Sequence, residues 1–177
     1  ADLDEQEVHI LGYFMDHRNK KFLDFLTHSR KLRLQRNEKI VEKLNTMGSN
    51  ITFDSIMVKA GENTSIGRPH IAIELSEEGF ASSYYDAFIK YIGDGKPAFV
   101  KKPNPKADNV IKIINETGGL SFIAHPGKLV RDEMILRLIA DGLDGIEIRH
   151  PSHTNEDMEY FNKIASEHFL LTSGGSD

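Results

Sequence analysis

Apolar positions recur at helical three-and-four spacing from Lys20 to Met47. That stretch closes at Gly48, a residue suited to the position just past a helix end. Before it, Val8 to Phe14 is a short apolar run that predicts a buried strand closed near Gly12. After it come short helical pieces, Phe53 to Ala60, Pro69 to Leu75 and Ser82 to Ile92, broken by glycines and by Asn63, Ser65 and Asp94. Pro69 suits a first helical turn. Lys96 to Pro105, with three prolines, reads as a loop at a segment boundary. From Ala107 the pattern becomes regular. Ala107 to Glu116 predicts a helix, then Gly118-Gly119 and the apolar run Leu120 to Ala124. Arg131 to Ala140 predicts a second helix, then Gly142 and Gly145-Ile146-Glu147-Ile148. Asn155 to Glu167 predicts a third, followed by Phe169 to Thr172 and Gly174-Gly175. Helix, glycine turn, short apolar strand and polar strand end, repeated, predict parallel βα units. The expected fold class is α/β. A barrel-like part (1–19 and 106–177) is interrupted by a mostly helical insertion over 20–105.

Composition narrows this picture. A chain of 177 residues, 39% hydrophobic and 28% charged, supports one core or one domain with an insertion. No apolar run approaches the roughly 20 residues of a membrane helix, so no membrane partner is expected. There is no cysteine, which excludes disulfides, thiolate zinc sites and a cysteine nucleophile and fits a cytoplasmic protein. The net charge of −5 argues against a general nucleic-acid coat, and no double-stranded DNA partner is expected. The charge is uneven, however. Arg18 to Lys43 holds nine Lys/Arg against Asp24, Glu38 and Glu42, a local basic patch suited to a small anion or a nucleic-acid end. The chain starts without methionine just before a strand and stops at Asp177 in mid-motif, which reads as a piece of a longer protein.

The residues able to carry chemistry sit where strands would end. His125, in Ala-His-Pro-Gly, follows a strand that Pro126 stops, so it faces the loops. A hydrogen bond to a loop carbonyl is the bland alternative to metal ligation. Asp177 follows Gly174-Gly175-Ser176, small residues that let a backbone approach a ligand, and it could equally be a turn or helix-capping aspartate. His9 lies inside a strand on the face opposite Val8 and Ile10, directed to a barrel interior or satisfied in the core. Glu147 sits among apolar neighbours and needs a partner. That partner is a histidine it orients, Arg149, or a helix lysine. His150 and His153 follow in the next loop, with solvent as their default and the site as the alternative. At 100° per residue Arg33, Arg36, Ile40, Leu44 and Met47 share a helix face, so both arginines should lean toward the body of the protein. Paired guanidinium forks there suit a phosphate, or they lie over the apolar surface. Arg68 adds a cation beside His70 at a predicted helix start, where anions are favoured.

In their order, Val-His-Ile-Leu-Gly-Tyr, the Arg33/Arg36 helix, Gly-Arg-Pro-His-Ile-Ala, Ala-His-Pro-Gly, Gly-Leu-Asp-Gly-Ile-Glu-Ile and Gly-Gly-Ser-Asp resemble the PHP family (polymerase and histidinol phosphatase). The nearest branch is the nucleoside 3′,5′-bisphosphate phosphatases, which also act as 5′→3′ exoribonucleases on short RNA. The resemblance covers nearly the whole chain. It implies part of a distorted (β/α)7 barrel and two or three divalent metals, manganese foremost, with zinc, iron or magnesium as alternatives. By motif it implies His9, His125 and Asp177 as metal ligands, and Arg33, Arg36, Arg68 and His70 in the substrate-phosphate region. Glu147 and His153 remain as supporting residues behind the ligands. The implied chemistry is a metal-activated hydroxide attacking phosphorus in a nucleotide or a short RNA 5′ end, with no covalent intermediate. The family's preceding His-x-His pair, Asp, Asp-His motif and Glu are not in this chain, nor is the histidine after Ser-Asp. This stretch alone is therefore expected to be inactive and to bind metal weakly at most.

Three other readings remain open. One is a histidinol-phosphate-type phosphatase of small phosphomonoesters, which needs fewer cations. Another is a degenerate, non-catalytic PHP binding module. The weakest is a nucleic-acid-binding domain on the basic helix, where only Phe22 and Phe25 could stack bases.

Overall fold

The computed structural model describes residues 1–4, 6–61, 65–127 and 132–176. Its contacts divide the chain into two units, Ala1–Phe25 with Asn104–Asp177, and Leu26–Pro103. No helix among the described residues is long and apolar enough to cross a membrane.

The first unit opens with a small hairpin, β1 (Asp2–Leu3) and β2 (Gln6–Glu7), followed by β3 (His9–Tyr13). The start of α1 (Lys20–Thr46) belongs to it as well. The chain returns as α5 (Ala107–Glu116), β4 (Leu120–Ala124), α6 (Asp132–Ala140), β5 (Gly145–Arg149), α7 (Asn155–Glu167) and β6 (Leu171–Gly174). The sheet order is β3-β4-β5-β6, a linear array, with β4, β5 and β6 mutually parallel as their glycine-turned helices require. β3 is different. It runs antiparallel to β4, with His9 opposite Ala124 and Tyr13 opposite Leu120.

Each helix packs the residues its periodicity predicts: Ala107, Ile111 and Ile114 from α5, Ile135 and Leu138 from α6, Phe161, Ile164 and Ala165 from α7. They join Ile123, Ile146 and Ile148 of the strands in one core. Thr154 starts α7 by a reciprocal cap. Its hydroxyl accepts from the Asp157 N–H at 3.1 Å, and the Asp157 carboxylate accepts from the Thr154 N–H at 2.9 Å. Gly145 is dictated by its neighbour across the sheet. A Cβ there would lie 2.2 Å from the Phe122 ring.

β6 starts at Leu171, two residues later than the apolar run 169–172 suggests. The α7 terminus explains the delay. The Leu170 N–H donates back to the Ala165 carbonyl at 2.8 Å, which turns Phe169 into a left-handed conformation (φ 56°) and out to solvent, 95% exposed.

The second unit holds the rest of α1, then α2 (Phe53–Ala60), α3 (Arg68–Glu77), α4 (Tyr84–Ala87) and a π-helical turn (Phe88–Ile92). Ile40, Val41 and Leu44 of α1 pack with Ile56, Ile71 and Leu75. The α1 face is not quite the expected one. Arg36, Asn37, Ile40, Val41 and Leu44 are buried, while Arg33 and Met47 are exposed. A stripe one residue wider on the Asn37–Val41 side buries more of the helix than the narrow line 33-36-40-44-47.

Candidate metal centre

The antiparallel β3–β4 pair builds the centre. His9 opens β3 at its amino end, rather than lying inside the strand or closing it, and the antiparallel register carries it to the carboxyl end of β4. There His125 follows Ala124 in the left-handed region (φ 29°), a conformation a non-glycine residue holds only when its surroundings enforce it. Nδ1 of His9 and Nε2 of His125 approach to 3.1 Å, and the rings meet edge to face, 4.9 Å between centroids. Two nitrogens at that separation, each at a metal–imidazole bond length of about 2.1 Å, subtend about 95° at an ion. The pair therefore fits two adjacent ligands of one divalent cation. Among the described residues no group of three or more His, Asp or Glu converges on such a point. Asp177, the third expected ligand, lies outside the described residues.

Glu147 meets His125 at the backbone. Its Oε2 accepts from the His125 N–H at 2.8 Å, and it is 4% exposed. No ion pair joins it to Arg149, which is exposed. Gly175 makes room for that carboxylate, since a Cβ there would lie 2.7 Å from Glu147 Oε1. A Cβ on Gly174 would press on Arg149. Both glycines thus lie close against β5, where the sequence suggested close approach to a ligand.

His153 is a buried staple. Its Nδ1–H donates to the Ile148 carbonyl at 2.7 Å, which leaves Nε2 to accept from the Gly127 N–H at 3.3 Å. It ties the loop after β5 to the loop after β4, two residues past His125. The neighbouring His150, a weaker sequence signal, packs its ring 5.0 Å from that of His125. Two shielded polar atoms lack a partner at this end of the sheet, His150 Nε2 and Ser173 Oγ. Polar atoms left open beside paired imidazoles suit a centre completed by bound groups.

The phosphate residues expected in the second unit are mostly engaged by their own fold. Arg36 is buried and its Nε donates to the Val100 carbonyl at 2.8 Å. Arg68 pairs with Asp94 at 2.5 Å, donates to the Ile92 carbonyl at 3.2 Å, and lies over the Phe88 and Phe99 rings. His70 Nδ1 accepts from the Gly67 N–H at 3.2 Å at the start of α3. Arg33 is exposed and donates to the Ser65 hydroxyl at 2.5 Å.

No protein-family model matches the chain. It is 31% identical over 175 residues to a protein of Chromobacterium violaceum named 3′,5′-nucleoside bisphosphate phosphatase, covering 96% of this chain and 61% of that one. It is 33% identical over 176 residues to a Haemophilus influenzae protein named 5′-3′ exoribonuclease, covering 96% and 63%. A crystal structure from Bifidobacterium adolescentis, described as a candidate metal-dependent phosphoesterase, superposes with a TM-score of 0.77 at 35% identity, over 98% of this chain and 64% of that one. The chain thus spans somewhat under two thirds of the length of these relatives. It is homologous over that stretch to the proteins named 3′,5′-nucleoside bisphosphate phosphatase and 5′-3′ exoribonuclease.

Proposed function

We propose that the intact protein is a metal-dependent phosphoester hydrolase that removes phosphate from nucleotides such as nucleoside 3′,5′-bisphosphates, or acts at short RNA 5′ ends. The observation that carries this is the 3.1 Å approach of His9 Nδ1 to His125 Nε2, in a chain homologous to enzymes named for these reactions. His9 and His125 would hold one divalent ion. Asp177 and chain that the relatives carry outside this stretch would supply further ligands and complete a (β/α)7 barrel, which the helical insertion 20–105 interrupts in sequence. Manganese is the first metal to test, and the cysteine-free composition supports a cytoplasmic setting. When bound, the metal supplies Lewis-acid polarisation of the phosphoryl group and an activated water.

The residues of this chain have distinct tasks. The Glu147 carboxylate fixes the His125 backbone and so the direction of its imidazole. His153 holds the adjoining Gly127 loop. Of the cations, Arg33 is the one we assign to phosphate, because it is exposed and its recorded partner is a neutral hydroxyl. His70 is the second: with Nδ1 accepting, its Nε2–H is a donor. Arg36 and Arg68 act chiefly in folding the second unit.

The test is phosphate release from 3′-phosphoadenosine 5′-phosphate by the intact protein with Mn²⁺, beside an EDTA-treated control. Fast release that EDTA abolishes is the expected result. A folded protein with no release, or release indifferent to EDTA, sinks the reading.

A further inference from the structure

The loop after β5 holds two donors that the His9–His125 centre does not use. His150 Nδ1 lies 2.7 Å from the Ser152 hydroxyl oxygen and 3.2 Å from the Ser152 backbone nitrogen. A backbone N–H can only donate, so Nδ1 carries the lone pair and the ring proton is assigned to Nε2. That Nε2–H is shielded from solvent and has no acceptor. A shielded donor without an acceptor lowers stability, so a fold that keeps one points to an acceptor that arrives with a ligand. Next to it, Arg149 is exposed and forms no ion pair among the described residues. Arg149 and His150 line an open depression of about 510 Å³ together with Pro151, Met158 and Gly175. Among the described residues the lining holds a guanidinium fork and an imidazole N–H and no carboxylate. Such a set of donors suits anionic oxygen. It sits on the same end of the sheet as His125, whose ring is 5.0 Å from that of His150.

We propose that Arg149 and His150 form a phosphate subsite, which receives a phosphate group of the nucleotide substrate from the unpaired guanidinium and the orphaned Nε2–H. The subsite rests on the reading of the protein as a nucleotide phosphoesterase, and adds to it a specificity element that neither the motifs nor the basic helix supplied.

The experiment compares the intact wild-type protein with His150→Phe, His150→Gln and Arg149→Met. The phenyl ring keeps the stacking and removes the donor, while the glutamine amide restores an N–H. Three quantities are read: bound metal by elemental analysis, the melting temperature with and without inorganic phosphate, and the split between KM and kcat. His150→Phe and Arg149→Met are expected to keep wild-type metal content and to melt no lower than wild type in the absence of phosphate. They should lose most of the phosphate-induced rise in melting temperature and raise KM for the bisphosphate by about 10- to 100-fold, the range of a charge-assisted hydrogen bond. His150→Gln should recover most of both. An undiminished phosphate response in both donor-removing variants overturns the subsite, as does loss of metal in His150→Phe, which would make His150 a ligand. These results are separable from the parent reading. A wild-type protein without metal-dependent hydrolysis defeats the proposed function. A wild-type enzyme whose phosphate response ignores Arg149 and His150 defeats the subsite alone.

Discussion

In Leu26–Pro103 the charged groups mostly answer one another, although the buried Asn37 Oδ1 has no partner among the described residues. Arg36 reaches the Val100 carbonyl, Arg68 reaches Asp94, and Lys59 bridges Glu74 and Glu77, while Ser55 donates to Glu74 at 2.7 Å. In the unit that carries the sheet, two imidazoles are directed at each other, and among the described residues His150 Nε2, Ser173 Oγ and the Arg149 guanidinium have no partner. Both regions are rich in the residue types that bind phosphate or metal. What separates them is whether those groups have already been satisfied by the fold. A polar group engaged internally adds stability, while one shielded from water and left open costs stability unless a ligand completes it.

The sharpest way to break that contrast is to remove a ring of the pair. His125→Ala in the intact protein should lower metal affinity by at least about 100-fold, more than loss of a supporting residue costs, and abolish turnover with it. Elemental analysis after dialysis measures the first and phosphate release the second. Metal content equal to wild type would return His125 to a structural role. One step back, Glu147→Ala leaves the His125 N–H without its acceptor and should cost about 10- to 100-fold in metal affinity. Gly175→Ala should follow in the same direction with a loss nearer tenfold, because the carboxylate can swing away from the new methyl group only by disturbing that bond.

Arg36 and Arg33 sharpen the contrast from the other side. Arg36→Met removes a charged hydrogen bond to a buried carbonyl and should destabilise the protein by about 1.5–3 kcal/mol in denaturant unfolding. Arg33→Met should change stability by under about 0.5 kcal/mol and raise KM instead. The reverse pattern would exchange their roles.

Acid offers a subtler probe. Burial alone would raise the Glu74 carboxyl, but hydrogen bonds from Lys59 and Ser55 outweigh it and hold the group below its ordinary value of 4.5. Its folded form is thus the more acidic one. The stability it contributes is present above pH 4.5 and is lost as pH falls through the depressed folded value. Lys59→Met should flatten that acid limb of the stability curve, and an unchanged limb would assign it to other carboxylates.

Much of the fold was legible because local rules suffice for it. The helices Phe53–Ala60, Ala107–Glu116 and Asn155–Glu167 and the strand Leu120–Ala124 have the bounds their periodicity and flanking glycines indicate. The hairpin β1–β2 was not legible, since two-residue strands carry no alternation. Nor was the direction of β3, because its partner lies more than a hundred residues away and pairing leaves no local mark. For the same reason His9 and His125 could be nominated one at a time while their 3.1 Å approach could not. In the sequence Arg149 stands out only as a partner for Glu147, and solvent is the default setting for His150. An orphaned Nε2 emerges only once Ser152 is seen to fix the tautomer. Arg36 and Arg68 show the opposite limit. Their types and spacing promised phosphate, and their acceptors, a carbonyl at Val100 and a carboxylate at Asp94, are distant in sequence.

The smallest expected effect distinguishes strain that serves the centre from strain that does not. His125 and Phe169 both hold positive φ, at 29° and 56°. His125 follows the carboxyl end of β4 and carries a proposed ligand. Phe169 precedes the amino end of β6 and is 95% exposed, so its ring contributes almost no burial. A left-handed conformation costs a side-chain-bearing residue roughly 1–2 kcal/mol, and glycine escapes that cost at an entropic penalty of about 0.5–1 kcal/mol. Phe169→Gly should therefore stabilise the protein by about 0.5–1 kcal/mol and leave metal content and phosphate release unchanged. Stability and metal binding are then separable in this unit, because the α7–β6 turn is not coupled to the histidine pair. If Phe169→Gly instead destabilises the protein or weakens metal binding, the exposed ring has a partner in the intact protein, and the strain at that turn belongs to an interface.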